Sequence, residues 1–489
     1  MKKVTGFLLM AALLIGFAAC NNEDVPEVDN NEGNTYASLT IGYAPMKSPV
    51  AKSTRAVPET SFEGTAAEKN VTRITLFGET TATNNMQFED PSFLKDANLW
   101  TVKAWATTAG TRSFGLGLNI GTAPVVDLTA ETNTTGAILD GAITDYVTTA
   151  AIAMSSTEVK TQKINNGVSE EQANSATSTA HNLVHFDVKR VVAKAAVRAS
   201  ASSVSVTEGN PGPTLGSFST LTFAPTNLSK ETFLFEKVGM DPKMLDSAAT
   251  EVGIDSANYA RLGDTDLKDL VKPDTTTAYH PYKAVPMNST DDDLADIEGN
   301  YFFENIEKAL FWGNITYMKV YGTFTPALGQ IQQLKDGELE NPDELTAKTF
   351  YKGAVDGKLY TTLAAAQFAV PGQKAYKYEN GRMGYRVLVY QDLADADFDT
   401  KSKPVKNADV LRNYFYILDI TGIEGLGFNY DGNDPNDPNL PKPTVDVNEP
   451  VDPEDGVVPD TPINSTDTYM RVQATVLPWT VLGRDVTLK

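Results

Sequence analysis

Cysteine occurs once in the 489 residues, at position 20, and histidine three times. If Cys20 lies outside the working protein, no thiol remains for disulfides, thiolate catalysis or cysteine-ligated metal. Basic residues are also short, with 41 Lys and Arg against 63 Asp and Glu and a net charge of -22. That balance leaves no footprint for a phosphate backbone, so nucleic acid is excluded as a partner. Long apolar runs are missing too. The one extended run, Phe7 to Phe17, is too short for a span of about 20 residues. Long amphipathic helices are equally scarce, which argues against helical bundles and parallel α/β sheets.

What is present at the start is an export signal. Lys2 and Lys3 precede the apolar run, and Phe17-Ala18-Ala19-Cys20 closes it. Small residues before a cysteine at that distance resemble a bacterial lipoprotein cleavage box. Residues 1–20 are therefore expected to be removed or lipidated at Cys20. Residues 21–55 read as a propeptide: a polar acidic tether, then Ala37, Leu39, Ile41 and Tyr43 alternating along one strand, then a Pro-rich stretch carrying Arg55.

Beyond it, short alternating segments recur with Gly, Asn, Asp and Pro between them. Strands are expected at Val71 to Phe77, Trp100 to Trp105, Val184 to Val192, Phe218 to Phe223, Ile315 to Phe324, Tyr385 to Tyr390, Tyr414 to Ile420 and Met470 to Val476. Helical patterns are confined to Asp264 to Val271 and Ile306 to Phe311. The expectation is an all-β chain of two antiparallel β-sandwich domains, 56–236 and 237–489, with few short helices.

Catalytic chemistry finds no specific support. His181 and His185 have a metal-like spacing only on a helix, and the residues after them read as strand. Gly115, Gly117 and Gly121 lack the helix start that a phosphate loop needs and read as strand and turn glycines. The Asp- and Asn-rich run after Asp431 lacks the spacing of a calcium loop. No metal, no cofactor and no enzymatic activity are expected.

The features left over are at the two ends. A cut after Arg55 would detach Cys20 and the isolated strand together, and a sheet that loses an edge strand exposes unpaired backbone and apolar pockets. An extended segment of another copy could fill that groove, and because donor and groove are different surfaces the contact propagates into a filament. The C-terminus supplies such segments: Met470, Val472, Ala474 and Val476 alternate, and Val481, Val486 and Leu488 follow with Gly483 as a bulge position.

Four stretches carry a family resemblance. They are His185 to Lys194 (HFDVKRVVAK), Asn314 to Phe324 (NITYMKVYGTF), Asn413 to Gly427 (NYFYILDITGIEGLG) and Val472 to Thr480 (VQATVLPWT). In this order and spacing they resemble the fimbrillins of Bacteroidales, shaft subunits of type V pili, and especially the minor-fimbrium branch. The resemblance implies transthyretin-like sandwiches, a lipoprotein precursor at the outer membrane, and maturation by an arginine-specific protease at Arg55-Ala56. It also implies a displaced strand at Ala37 to Tyr43 and a C-terminal donor strand. The implied partners are other copies in a head-to-tail filament, accessory anchor and tip subunits, and host or bacterial surface ligands. The competing expectation is a surface-anchored glycan-binding lipoprotein with Trp100, Trp105 or Trp312 as stacking platforms. A secreted glycosidase would need two carboxylates at fixed separation in one cleft.

Overall fold

The computed structural model describes residues 35–44, 64–78, 85–89, 93–96, 99–121, 124–129, 131, 136–140, 143–209, 211–237, 239–240, 242, 258–260, 282–290, 297–307, 313–389, 392–393, 405–429 and 470–478. Each of the eight expected segments overlaps a strand of the structure, most of these strands being longer than the alternation alone marked, while Val71-Thr72, Val191-Val192 and Ile315-Thr316 fall outside strands and Tyr390 lies outside the described residues. The main ones are β1 (Thr35–Tyr43), β2 (Arg73–Phe77), β3 (Leu99–Thr107), β4 (Gly110–Leu118), β5 (Met154–Ser156), β6 (Leu183–Arg190), β7 (Ala193–Ala199), β8 (Thr214–Thr226), β9 (Tyr317–Pro326), β10 (Arg382–Leu388), β11 (Tyr414–Ile423) and β12 (Met470–Pro478). Short α-helices among the described residues are α1 (Ala66–Lys69), α2 (Glu170–Asn174) and α3 (Leu363–Ala369). The chain is all-β, with sheets stacked in a sandwich-like arrangement.

The first sheet runs in the order Asn85–Glu89, β2, β4, β5, β6, β1, β3, Phe93–Asp96, with Lys160–Ile164 on β4. It folds over one core, to which β1, β3 and β6 contribute Leu39, Ile41, Trp100, Val102, Val184 and Phe186, and β2 and β4 contribute Ile74, Leu76, Phe114 and Leu116. A bulge in β3 adjusts its pattern. Ala37 pairs with Trp105 but Leu39 pairs with Val102, so one extra residue sits on β3. The bulge changes the alternation, which lets Trp100 and Trp105 both turn inward although they are five apart. The amide of Ala104 in the bulge donates to Asn174 Oδ1 of α2 at 2.8 Å.

Sheet membership changes at Val191-Val192, between β6 and β7. The second sheet follows the order Asn300–Phe302, β7, β11, Val204–Thr207, β8, β9, β10, Phe428–Asn429. Every residue of β7 is buried, as expected of a strand covered on both faces. β7 runs parallel to β11, and β12 pairs antiparallel along β11, from Tyr414 opposite Pro478 to Ile423 opposite Met470. Between β9 and β10 is inserted a small five-stranded sheet with α3. Phe218, Phe324, Phe350 and Tyr378 connect it to the main core, the last two rings stacked at 4.7 Å.

The expected helix Asp264 to Val271 lies outside the described residues. At Ile306 to Phe311, the described residues Ile306 and Glu307 are not helical. Gly115 and Gly117 are strand residues, as read. A Cβ on Gly115 would lie 2.4 Å from the Phe235 ring, and one on Gly117 would lie 2.8 Å from Ile120. The glycines let a ring and an aliphatic chain lie against the strand backbone. Gly115→Ala is expected to destabilise the protein by about 1–3 kcal/mol through overpacking, read as a lower denaturant midpoint at unchanged m-value.

Candidate assembly site

The displaceable strand was expected at a sheet edge; the structure places it in the interior. β1 pairs parallel to β6 from Ser38-Leu183 to Tyr43-Val188, and antiparallel to β3 from Thr35-Thr107 to Gly42-Leu99. Alternation reports how many faces of a strand are buried but not how many of its edges are paired. Ala37, Leu39 and Ile41 are fully buried, each of the larger two contributing roughly 1.5–3 kcal/mol. Trp100 and Trp105, at 5% and 7% exposure, belong to the core beneath β1 and offer no stacking platform. Trp312 lies outside the described residues.

Both ends of β1 carry polar fastenings. At its start, Thr35 Oγ1 donates to the Asn165 carbonyl at 2.8 Å and accepts from the Val168 amide at 3.1 Å. Asn182, in the left-handed region at φ 58°, donates from Nδ2 to the Tyr36 carbonyl at 2.9 Å and to the Asn165 carbonyl at 2.9 Å. At its end, the Tyr43 ring meets Trp100 edge-on at 5.0 Å, and its hydroxyl donates to the Lys69 carbonyl at 3.2 Å. The Arg190 guanidinium lies 5.7 Å from the Tyr43 ring centroid. Burial pushes the Tyr43 phenol up to about 12, against the opposing charge of Arg190.

Arg190 also begins the seam between the two sheets. Its Nε and Nη2 donate to the Glu68 carbonyl at 3.0 and 2.8 Å, and its amide donates to Asn413 Oδ1 at 3.2 Å. The Glu68 carboxylate receives Lys194 Nζ at 2.9 Å and the Tyr301 hydroxyl. Lys194 lies over the Phe415 ring at 4.5 Å. Thr65 and Glu68 form a capping box that fixes α1. Burial raises the Glu68 pKa, but the charge of Lys194 and hydrogen bonds from Tyr301, Thr65 and Lys194 outweigh it and hold the carboxyl below its ordinary 4.5. The sequence does not mark this cluster: Glu68 lies between the expected strands Ala37 to Tyr43 and Val71 to Phe77, and nothing local shows that it pairs with a residue 126 positions later.

The remaining expected residues are dispersed. His185 stands on the outer side of β6, with Nδ1 3.0 Å from Thr40 Oγ1 and Nε2 3.4 Å from Asp187. His181 closes a separate 3-10 turn. Among the described residues no group of three or more His, Cys, Asp or Glu could hold a metal, and no helix is long and apolar enough to cross a membrane. Cys20, Arg55, Ala56, Val481, Val486 and Leu488 lie outside the described residues.

Comparison with known proteins finds a family likeness at the C-terminal end. Residues 376–485 match the family described as major fimbrial subunit protein type IV, fimbrillin, C-terminal. The match covers β10, β11 and β12. Among solved structures, a protein from Parabacteroides distasonis ATCC 8503 provisionally assigned to cell adhesion is 14% identical, with 91% of this chain and 100% of that one covered and a TM-score of 0.46. A fimbrilin from Porphyromonas gingivalis W83 is 13% identical over 92% of this chain and 99% of its own, with a TM-score of 0.40. The tip fimbrial protein Mfa3 from Porphyromonas gingivalis, with C-terminal truncation, is 12% identical over 91% and 100%, with a TM-score of 0.33. Within residues 376–485 this chain is therefore similar to fimbrial subunits.

Glu68→Gln leaves Lys194 buried beside a neutral partner and is expected to cost about 3–5 kcal/mol of unfolding free energy. Because the folded pKa of Glu68 is lowered, its contribution is present above the ordinary value of 4.5 and lost as pH falls through the lowered one. Denaturant titrations of wild type and Glu68→Gln should therefore converge on acidification.

Proposed function

We propose that this chain is the repeating shaft subunit of an adhesive fimbrium, made as a lipoprotein precursor lipidated at Cys20. An arginine-specific protease cuts Arg55-Ala56, the strand bearing Ala37, Leu39, Ile41 and Tyr43 leaves, and the C-terminal segment of another copy takes its place. The observation that carries this reading is β1 itself: a buried interior strand followed by residues 45–63, which hold Arg55, before the chain returns at α1. One cut in that stretch separates an interior strand from the rest of its sheet.

For the donor, the proposal takes the terminal segment with Val481, Val486 and Leu488. Support comes from β12, which is already paired along β11 in its own chain. The working molecule acts as a building block rather than an enzyme. Its partners are other copies, the maturation protease, anchor and tip subunits, and the surfaces the fibre meets. The glycan-binding alternative loses two of its three expected platforms with the burial of Trp100 and Trp105.

Edman sequencing of the surface form is expected to begin at Ala56; a blocked start at Cys20 would favour an anchored binder. Arg55→Ala cells should accumulate monomeric precursor, and normal filaments from that variant, seen by negative-stain microscopy, would defeat the proposal. Deleting the last ten residues should leave cleavage intact and abolish fibres.

A further inference from the structure

The end of β1 before residues 45–63 touches the far end of the short helix that follows them. Tyr43 closes β1, Lys69 closes α1, and the phenol of the first donates to the carbonyl of the second at 3.2 Å. Beneath them Arg190, fully buried, lies 5.7 Å from the Tyr43 ring centroid while donating twice to the Glu68 carbonyl. One arginine thus contacts both the strand before the cut and the helix after it.

The two sets of contacts differ in kind. On the strand side, Tyr43 contributes one neutral hydrogen bond, a cation–π contact and an edge-on ring contact with Trp100. On the helix side stand an ion pair with Lys194, the Tyr301 hydrogen bond, two hydrogen bonds from Arg190 and the Thr65 capping box. Charge-assisted hydrogen bonds are roughly twice as strong as neutral ones. Departure of Tyr43 leaves the Arg190 guanidinium its acceptors, the Glu68 carbonyl for Nε and Nη2 and Asn413 Oδ1 for Nη1 at 3.4 Å, so the buried cation keeps hydrogen-bond partners when the strand goes.

We propose that Tyr43 is the latch of the leader strand and that the buried Glu68 cluster is the anchor of the chain that stays, so that a cut between them releases one and retains the other. This rests on the reading of β1 as the displaced strand. The latch sets how long a cut leader remains seated, separately from how fast the protease cuts. The anchor keeps α1 at the seam, so the newly made N-terminus does not follow the leader out.

The test uses full-length precursor cut by an arginine-specific protease, with leader retention followed by native mass spectrometry. Tyr43→Phe removes only the hydroxyl and should shorten retention about five-fold. Tyr43→Leu keeps apolar bulk, loses the ring over Arg190 as well, and should shorten it more than about ten-fold. Both should be cut at the wild-type rate. Amides of residues 64–69 should stay protected from hydrogen exchange in the leader-free wild type and lose protection in Glu68→Gln, with Glu68→Asp as the milder variant should Gln fail to fold. Wild-type retention times in both Tyr43 variants would overturn the latch, and free exchange at 64–69 on leader loss would overturn the anchor. A wild-type leader that never leaves, even with excess cut subunits, would overturn the displaced-strand reading and the latch with it.

Discussion

A strand inside a sheet has to be paired along both edges, and most of what is distinctive in this molecule follows from β1 meeting that requirement. An edge strand can leave with one ladder of hydrogen bonds broken. β1 would leave two, together with a void where Ala37, Leu39 and Ile41 were buried. Buried backbone donors and acceptors without partners cost free energy comparable to the bonds they lost. The sheet without β1 is thus poised to take up another extended chain.

Its neighbours make the slot permissive in one respect and selective in another. β6 and β3 run in opposite directions, so an occupant of either polarity pairs parallel with one and antiparallel with the other. The ladder therefore does not choose direction. The ends can, because they are chemically unlike: Thr35 sits in a nest of Asn165, Val168 and Asn182 groups, whereas Tyr43 sits between Trp100, Arg190 and a helix carbonyl. Polar fastenings at fixed positions define register, which apolar pockets of similar size define less sharply.

The strand framework was readable because period-two alternation is a local property of sequence. Tyr414 to Ile420 and Met470 to Val476 declared themselves without any knowledge of their partners. Position within the sheet was not readable: β1 looks the same in sequence whether one edge or two are paired. Trp100 and Trp105 share a face only because of a bulge opposite Ser38, and the residue satisfying that bulge, Asn174, lies 70 positions away. The Glu68 seam was hidden for the same reason, since capping chemistry at Thr65 is local but burial against Lys194 and Tyr301 is not. The inserted α3, Leu363–Ala369, was missed because a run of seven residues rich in Ala carries a high helix propensity but too short a period to count.

Why cutting should matter at all is a question of effective concentration. While the strand is joined to the rest of its chain through residues 45–63, it competes for the slot as a tethered ligand, at an effective concentration on the order of millimolar for a tether of that length. A strand of another copy competes at its bulk concentration, on the order of micromolar, and so starts about 4 kcal/mol behind even if it fits equally well. Cleavage removes that advantage without altering a single contact in the sheet. On the proposed reading, two strands of similar intrinsic fit would then exchange according to abundance, and a released leader would be diluted by diffusion. A fold that relied on edge addition would need no such step, because its acceptor would be open from the start and polymerisation would begin wherever the chain was made. On the proposed reading, the interior placement of β1 would let folding be completed first and assembly be deferred.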